Sequence, residues 1–415
     1  MTHRTFFQEN ITTKEKFFSF VIVFMMFGRV YSFLGTQINI GEILLILAIP
    51  FCYKRNAPLM LGTAEKTFFL YVTYAIVSTC FLCNYFDAEL FDAIIRILRN
   101  HLFYSIVIFF LVPNLARREC FEKYLVYFCF FLSSFVVLQF VSFRLFGFVL
   151  PGWIPNMQLS TGISGAELYK NTIQRLAYFD YRPCGFLLEP AHAAQSLFIG
   201  SLVTLYSKNS KNIPLAIFFS LTIFLTQSST GVFALFYLWI FYFCSGNISI
   251  IKKGFLFFIA ILILVVGSQL SFEKGNSIGR AHEAMDESTA DGSAYVRIYN
   301  GLNLFYELSV PLQIIGTGQG LYKYVIGNAS NNGKVDSQEY MSSFSALLFE
   351  SGLLGFGLFA CFFVILYKKT NLLGRMGIGG YWLMSLGCSI YASVFYVWIM
   401  ALILFDKREK NIIDG

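Results

Sequence analysis

The feature that most constrains this chain is a series of long apolar runs, each separated from the next by only a few polar residues. Segments such as Phe17–Gly35, Thr67–Phe86, Tyr124–Phe146 and Ser345–Tyr367 lack the apolar/polar alternation of a half-buried strand. A membrane β-barrel is built from short alternating segments, so these unbroken runs exclude it. Hydrophobic residues make up 56% of the 415 and charged residues only 13%, with a mean hydropathy of +0.63. A chain of that length and composition is not a soluble domain. The expectation is an all-α integral membrane protein forming a single polytopic domain over residues 1–415.

The formal net charge of +7 invites a nucleic-acid reading, but its placement argues against one. Basic residues sit in short pieces between apolar runs: Lys14/Lys16, Lys54/Arg55, Arg117/Arg118, Lys208/Lys211, Lys252/Lys253, Lys368/Lys369 and Lys407/Arg408. That is the pattern of loops retained on the cytoplasmic side. The N-terminus is polar to Lys16 and no small-residue cleavage site follows the first apolar run, so no cleavable signal is expected. Of nine cysteines, only Cys184 falls near an expected outer loop, and no disulfide framework is implied. Cys80 and Cys83 form a CxxC inside an apolar run, where packing is the expected role.

Charge parity along the chain gives 12 spans with both ends inside, 11 being the alternative. Arg29 in the first span and Glu42 in the second fall at similar depths and are read as a structural pair, with snorkelling of Arg29 as the alternative. Asp87–Asn100 has Phe91, Ile94, Ile95 and Leu98 on one face and Glu89, Asp92, Arg96 and Arg99 on the other. It is expected to lie in the outer interface, with the next span starting at His101. Ile213–Cys244 is too long for one crossing and breaks at Ser228–Gly231, giving two short passes. The block from Gly377 to Phe405 is expected to form a terminal hairpin. Two long extracytoplasmic loops remain, 147–185 and 271–343. The first carries a helix-friendly stretch, Ala166–Leu176; the second ends in Gly316-Thr-Gly-Gln-Gly320, expected to be a flexible turn. A nucleotide-binding role for those glycines is rejected, because no following βα unit exists.

The densest chemistry lies at RPCGFLLEPAHAAQ, from Arg182 to Gln195. Pro183 biases Arg182 towards an extended backbone, and Glu189-Pro190 reads as a helix start. Glu189 and His192, three apart, share a helical face. Arg175, Arg182, Arg280 and Arg297 lie in expected outer loops, against the general charge trend. A guanidinium binds phosphate oxygens in a bidentate manner and stays charged, so an anionic ligand would account for them. Loop solubility is the alternative, assigned to Arg175 and left open for Arg280. No Asp-x-Asp, paired His, HExxH or GxSxG is present in support of metal-dependent or Ser-hydrolase chemistry.

At these residues the chain resembles the Wzy-type O-antigen and capsule polymerases of the O-antigen polymerase/ligase superfamily. Four stretches carry the likeness: Tyr181–Gln195, Thr226–Leu235 (TQSSTGVFAL), Gly292–Ile298 with Ile314–Tyr322, and Phe344–Phe359. Thr230 stands where the Ser-rich break often carries an Arg, so no site is carried over to it. The resemblance implies joining of oligosaccharide repeat units carried on undecaprenyl diphosphate at the outer face of a bacterial inner membrane. It implies membrane lipid as surroundings, and a flippase and a chain-length regulator as partners. Neither cofactor nor metal is expected. On that reading His192 and Glu189 are the catalytic candidates, and Arg182, Arg297 and Arg280 the diphosphate contacts. An O-antigen ligase with the same donor, and a flippase of the lipid-linked unit, are the alternative readings.

Overall fold

The computed structural model describes residues 11–33, 38–52, 62–245 (apart from 87, 89, 178 and 179), 301–325 (apart from 323) and 341–414 (apart from 392). The described residues are predominantly helical, with isolated bridges in place of strands. Helix α1 (Thr13–Gly28) opens on a capping box in which Thr12 and Glu15 satisfy each other's backbone N–H groups. It packs in a hairpin against α2 (Ile40–Cys52). Gly28 and Gly41 let the two backbones meet: a Cβ on Gly28 would lie 2.6 Å from the Gly41 Cα. Helix α3 (Thr63–Tyr85) follows.

The next stretch corrects the sequence reading. Helix α4 (Leu90–Arg96), a π-helical turn (Ile97–Phe103), α5 (Tyr104–Ile106), a second π stretch (Val107–Leu111) and α6 (Val112–Leu115) run on without a break. No boundary separates an interfacial helix from a span at His101. Two of the charges that suggested a solvated face, Arg96 and Arg99, reach carboxylates instead; Glu89 lies outside the described residues. Arg99 Nε lies 2.9 Å from Glu42 Oε1, and Arg96 Nη1 lies 3.5 Å from Glu350 Oε1.

Helix α7 (Arg118–Phe146) ends at Gly147, whose φ of 65° is the left-handed cap that glycine adopts without penalty. The first long loop contains α8 (Gly165–Arg175), close to the helix-friendly stretch expected there. Helix α9 (Pro190–Tyr206) starts as the Glu189-Pro190 signal requires. Helices α10 (Ile213–Leu225) and α11 (Ser229–Ser245) are the two short helices expected, but the break falls at Thr226–Ser228, and Ser229–Gly231, expected within it, form the first turn of α11. Beyond residue 300 come α12 (Gly301–Glu307), α13 (Val310–Ile315) and the long α14 (Ser343–Lys369). Helices α15 (Leu372–Ser385) and α16 (Val394–Asp414) pack as the terminal hairpin.

Among the described residues four helical segments are long and apolar enough to cross a membrane: Thr63–Tyr85, Ala93–Leu115, Arg118–Phe146 and Ser343–Lys369. Shorter apolar helices pack among them. Helix α9 is the hub, contacting α7, α10, α11, α15 and α16, and it is buried without interruption from Ala193 to Leu205. Trp398 of α16, fully buried, donates its indole N–H to the Ile22 carbonyl of α1 at 3.0 Å.

The two ends of the bundle differ. One end gathers basic clusters around buried carboxylates. Arg117 Nε meets Glu15 Oε1 at 3.0 Å, and Glu122 accepts from Arg118 Nε (2.8 Å), Ser207 Oγ (2.6 Å) and Ser210 Oγ (3.2 Å). The other end carries the first long loop, the α1–α2 apex and the α10–α11 turn, and is called the loop end below.

Candidate functional site

The strand-like stretch before α9 is fixed from several sides. Gln139 of α7 grips the backbone of Gly185, accepting from its N–H at 2.8 Å and donating to its carbonyl at 3.0 Å. Gly185 has a φ of 67°, and a Cβ there would run into Leu132, so glycine is required. The Phe186 ring sits among Phe27, Phe128 and Phe135, with centroids 5.5–6.3 Å away. Trp153 Nε1 donates to the Leu187 carbonyl at 2.9 Å. These contacts deliver Glu189 to the N-cap of α9 in an extended conformation (φ −137°, ψ 149°). Its carboxylate makes no capping bond and is exposed, while His192, one turn on, is half-buried.

Arg182, also half-buried, reaches across to the α10–α11 turn and donates from Nη2 to the Gln227 carbonyl at 3.0 Å. Gln227 has a φ of 53°, a left-handed conformation that is uncommon for a side-chain-bearing residue and tends to occur at functional sites. Its Nε2 donates to Asp180 Oδ2 (3.4 Å), which also receives Arg144 Nη2 at 2.7 Å. The resemblance had pointed to TQSSTG, and the break had been legible as a turn, but Gln227 itself was not singled out. Its signal was a polar residue at the tip between two short helices. Thr230, one turn further, receives a bond from Cys388 Sγ at 3.4 Å, tying α11 to the α15–α16 turn. Gly231 lets α11 approach α9 so closely that a Cβ there would sit 2.6 Å from Ala194 Cβ.

Cys184, between Arg182 and Glu189, is 6% exposed. Burial pushes its thiol up to about 12; the Glu189 carboxylate adds to the rise and the Arg182 guanidinium opposes it. Both charges are therefore within electrostatic range of the Cys184 thiol.

The expected Arg29–Glu42 pair is not what forms. Glu42 Oε1 accepts from Arg99 Nε and from Tyr104 OH, each at 2.9 Å, and Oε2 accepts from the Asn39 N–H at 3.2 Å. The π turn explains the change: the Tyr104 N–H bonds to the Arg99 carbonyl, five residues back, so both side chains fall on one face opposite Glu42. Arg29 lies within electrostatic range of Glu42, Arg99, Tyr104 and Glu189.

The Gly316–Gly320 segment is also corrected, from flexible turn to docked latch. Thr317 N and Gly318 N donate to the Phe349 and Glu350 carbonyls (3.0 and 2.9 Å), and Gly320 N to Glu350 Oε1 (3.1 Å). Gln319, 2% exposed, takes Thr79 Oγ1 on its N–H (2.9 Å) and Ser351 Oγ on Nε2 (3.1 Å). The glycines are needed because two backbones touch: Gly316 packs against Gly352, where α14 kinks with φ 63°. Beside the latch a buried polar chain runs from His101 Nδ1 to Tyr391 OH (2.8 Å) and on to Tyr71 OH (2.9 Å).

Arg280 and Arg297 lie outside the described residues, as does 271–300 of the second loop. Among the described residues no group of three or more His, Cys, Asp or Glu is placed to hold a metal ion.

A predominantly helical bundle with membrane-length helices is the architecture of a helical membrane protein. The chain matches the family model described as WcaD colanic acid polymerase over residues 21–372, most of its length, and belongs to that family. Comparison with curated proteins found no match. Family membership makes it a polysaccharide polymerase of glycosyltransferase type, and the family in general implies a lipid-linked oligosaccharide substrate.

Proposed function

We propose that the protein polymerises undecaprenyl-diphosphate-linked repeat units at the outer face of a bacterial inner membrane. On this reading the chain crosses the membrane about 12 times, with the loop end outside and the basic end in the cytoplasm. The gathering of Arg117, Arg118 and the Ser207–Ser210 turn around buried carboxylates at one end supports that orientation. A flippase supplies the substrate to the outer leaflet and a chain-length regulator acts on the product.

In the reaction, a hydroxyl oxygen of the acceptor unit attacks the anomeric carbon of the donor chain. The carbon–oxygen bond to the diphosphate breaks, and undecaprenyl diphosphate leaves with the electron pair. The acceptor proton passes to a base. His192 is assigned as that base, since a neutral imidazole accepts a proton near neutral pH; Glu189 orients it or takes the proton itself. Arg182 stabilises charge developing on the diphosphate, with Arg297 and Arg280 as further contacts from the second loop. The arginines supply the positive charge that a metal would otherwise provide, so the reaction is metal-independent.

The observation that carries the proposal is Arg182 anchored on the Gln227 carbonyl, whose residue holds a left-handed backbone, with Arg182 and Glu189 both in electrostatic range of Cys184 between them. The test is a knockout with its surface polysaccharide run on a gel, followed by complementation with variants. Loss of chains beyond one repeat unit is expected; loss of every attached unit would indicate a ligase instead. His192→Ala should slow polymerisation with normal protein in the membrane. Full-length polymer from both His192→Ala and Glu189→Gln would remove the base assignment. With purified protein, EDTA should leave activity nearly intact; complete loss restored by magnesium would overturn metal independence.

A further inference from the structure

The α1–α2 apex holds a cation that the fold engages through charge alone, from Tyr104, Glu42 and Glu189. Arg29 is the C-cap residue of α1, its N–H bonded to the Met25 carbonyl at 2.8 Å, and its side chain is partly exposed. Among the described residues its guanidinium makes no hydrogen bond and no ion pair. The nearest carboxylate cannot serve it well, because Glu42 is already occupied on both oxygens by Arg99, Tyr104 and the Asn39 N–H. The C-terminal end of α1 favours a positive charge by its dipole, which allows Arg29 to stay charged without a carboxylate. A guanidinium carries five N–H donors, and on a partly exposed side chain these remain available to an incoming anion.

A second donor points the same way. Asn39 is 1% exposed and caps α2 through Oδ1, which accepts the Glu42 N–H at 3.0 Å. Its Nδ2 is buried with no hydrogen-bond partner among the described residues. Buried amide nitrogens are rarely left so, and each exception requires a reason. The first long loop folds over this apex: Ser32 N bonds to the Gln158 carbonyl, Ser160 N to the Val30 carbonyl, and the Ile154 N–H to Tyr31 OH. Phe27, two residues before Arg29, packs on Phe186 of the stretch that delivers Glu189. The apex therefore adjoins the candidate site, with Glu189 within electrostatic range of Arg29.

We infer that Arg29, with the Asn39 amide, forms an anion seat at the α1–α2 apex that binds the diphosphate of a polyprenyl-linked substrate. Arg99 is not free for this role, because it holds Glu42 in place. Glu189, the second carboxylate within electrostatic range of Arg29, ties this apex to the candidate site. Only the polyprenyl identity of the ligand rests on the polymerase reading; the anion seat itself rests on the geometry.

The test is direct binding to the full-length protein in detergent, with geranylgeranyl diphosphate as probe and geranylgeraniol as the uncharged control. Arg29→Gln is expected to weaken diphosphate binding about tenfold or more, with the geranylgeraniol signal and the melting midpoint unchanged. Arg29→Lys should lose about threefold, since it keeps the charge but lacks the planar fork. If Arg29→Gln does not fold, Arg29→Lys decides: a threefold loss supports the seat and wild-type affinity overturns it. Wild-type affinity in Arg29→Gln also overturns it. Vesicles of phosphatidylglycerol form the other arm: competition as strong as that of the diphosphate probe would make the site a lipid-headgroup contact and overturn the substrate assignment. Surface-polysaccharide gels tell the two proposals apart. Diphosphate binding lost in Arg29→Gln, with a knockout that still makes polymer, sinks the reaction but not the seat.

Discussion

Two polar regions near the loop end use the same residue types to opposite effect. In the latch, Glu350, Gln319, Ser351 and the glycine backbone spend their polar groups on one another, and α14 kinks to receive the loop. At the site, Glu189 is exposed, Gln227 holds a left-handed backbone and Arg29 makes no ion pair among the described residues. A carboxylate that accepts two bonds is structural. One left facing outward at a helix N-terminus, beside cations, is available to a ligand. Titratable residues in an apolar bundle are costly wherever they sit, and the difference lies in whether the fold or a substrate satisfies them.

Gly352→Ala should break the latch with the largest effect. Its φ of 63° is unfavourable for alanine, and the new Cβ would collide with the Gly316 and Ile314 backbone. Strain and overpacking together cost on the order of 3 kcal/mol. Little folded protein is expected in fluorescence-detected gel filtration; a wild-type profile would mean that the latch is not tightly docked.

Arg182→Ala should do the reverse, abolishing long chains while folded protein remains. Loss of one transition-state contact to charge costs ~3 kcal/mol, about a hundredfold in rate. Lys at this position should rescue only in part, for want of the bidentate fork. Initial-rate measurements alongside gel filtration separate the two outcomes, and a fall in folded protein matching the fall in rate would make Arg182 a second structural residue.

Glu350→Gln is a milder probe of the closed region. A glutamine oxygen can still accept from Gly320 N–H, so what is lost is the charge on the Arg96 contact. That pair is 3.5 Å long and Arg96 is 42% exposed, and solvent-screened pairs of this kind contribute about 1 kcal/mol or less. A slightly lower melting midpoint with unaltered chain length is expected. A large loss of polymer in stable protein would bring the latch into the catalytic machinery.

The sequence was legible where one local rule decides. The start of α9 followed from Pro190 at the first helical position, and the existence of the α10–α11 break from Ser228–Gly231 in an overlong apolar run. It misled where a partner far along the chain decides. Arg96 and Arg99 looked like a wet face because Glu350 and Glu42 lie 254 and 57 residues away. Arg29 looked like the partner of Glu42 because depth alone cannot reveal a π turn that stacks Tyr104 over Arg99. The glycines of 316–320 looked mobile, although Gly316 lets one backbone lie against another and Gly318 and Gly320 hold φ values of 89° and 76° that favour glycine. At the site, the Arg182, Glu189 and His192 cluster was visible as local composition, whereas Gln227 needed the backbone dihedral to stand out.

The smallest effect expected is at Arg175, and it bears on the whole comparison. Arg175 closes α8, exposed in the last turn, seven residues before Arg182 in the same loop. A cation at a helix C-terminus contributes ~0.3–1 kcal/mol, less when screened by salt, and surface substitutions of this kind usually stay within about 0.5 kcal/mol. Arg175→Ala should therefore leave both the chain-length ladder and the melting midpoint near wild type. If the loop acted only as a diffuse positive surface attracting an anionic lipid, removing Arg175 would cost nearly as much as removing Arg182, and both losses would shrink together with added salt. Separate responses, salt-insensitive for Arg182 and negligible for Arg175, are what a built contact requires. Equal, salt-dependent losses would dissolve the distinction between site and surface on which the assignment of Arg182 stands.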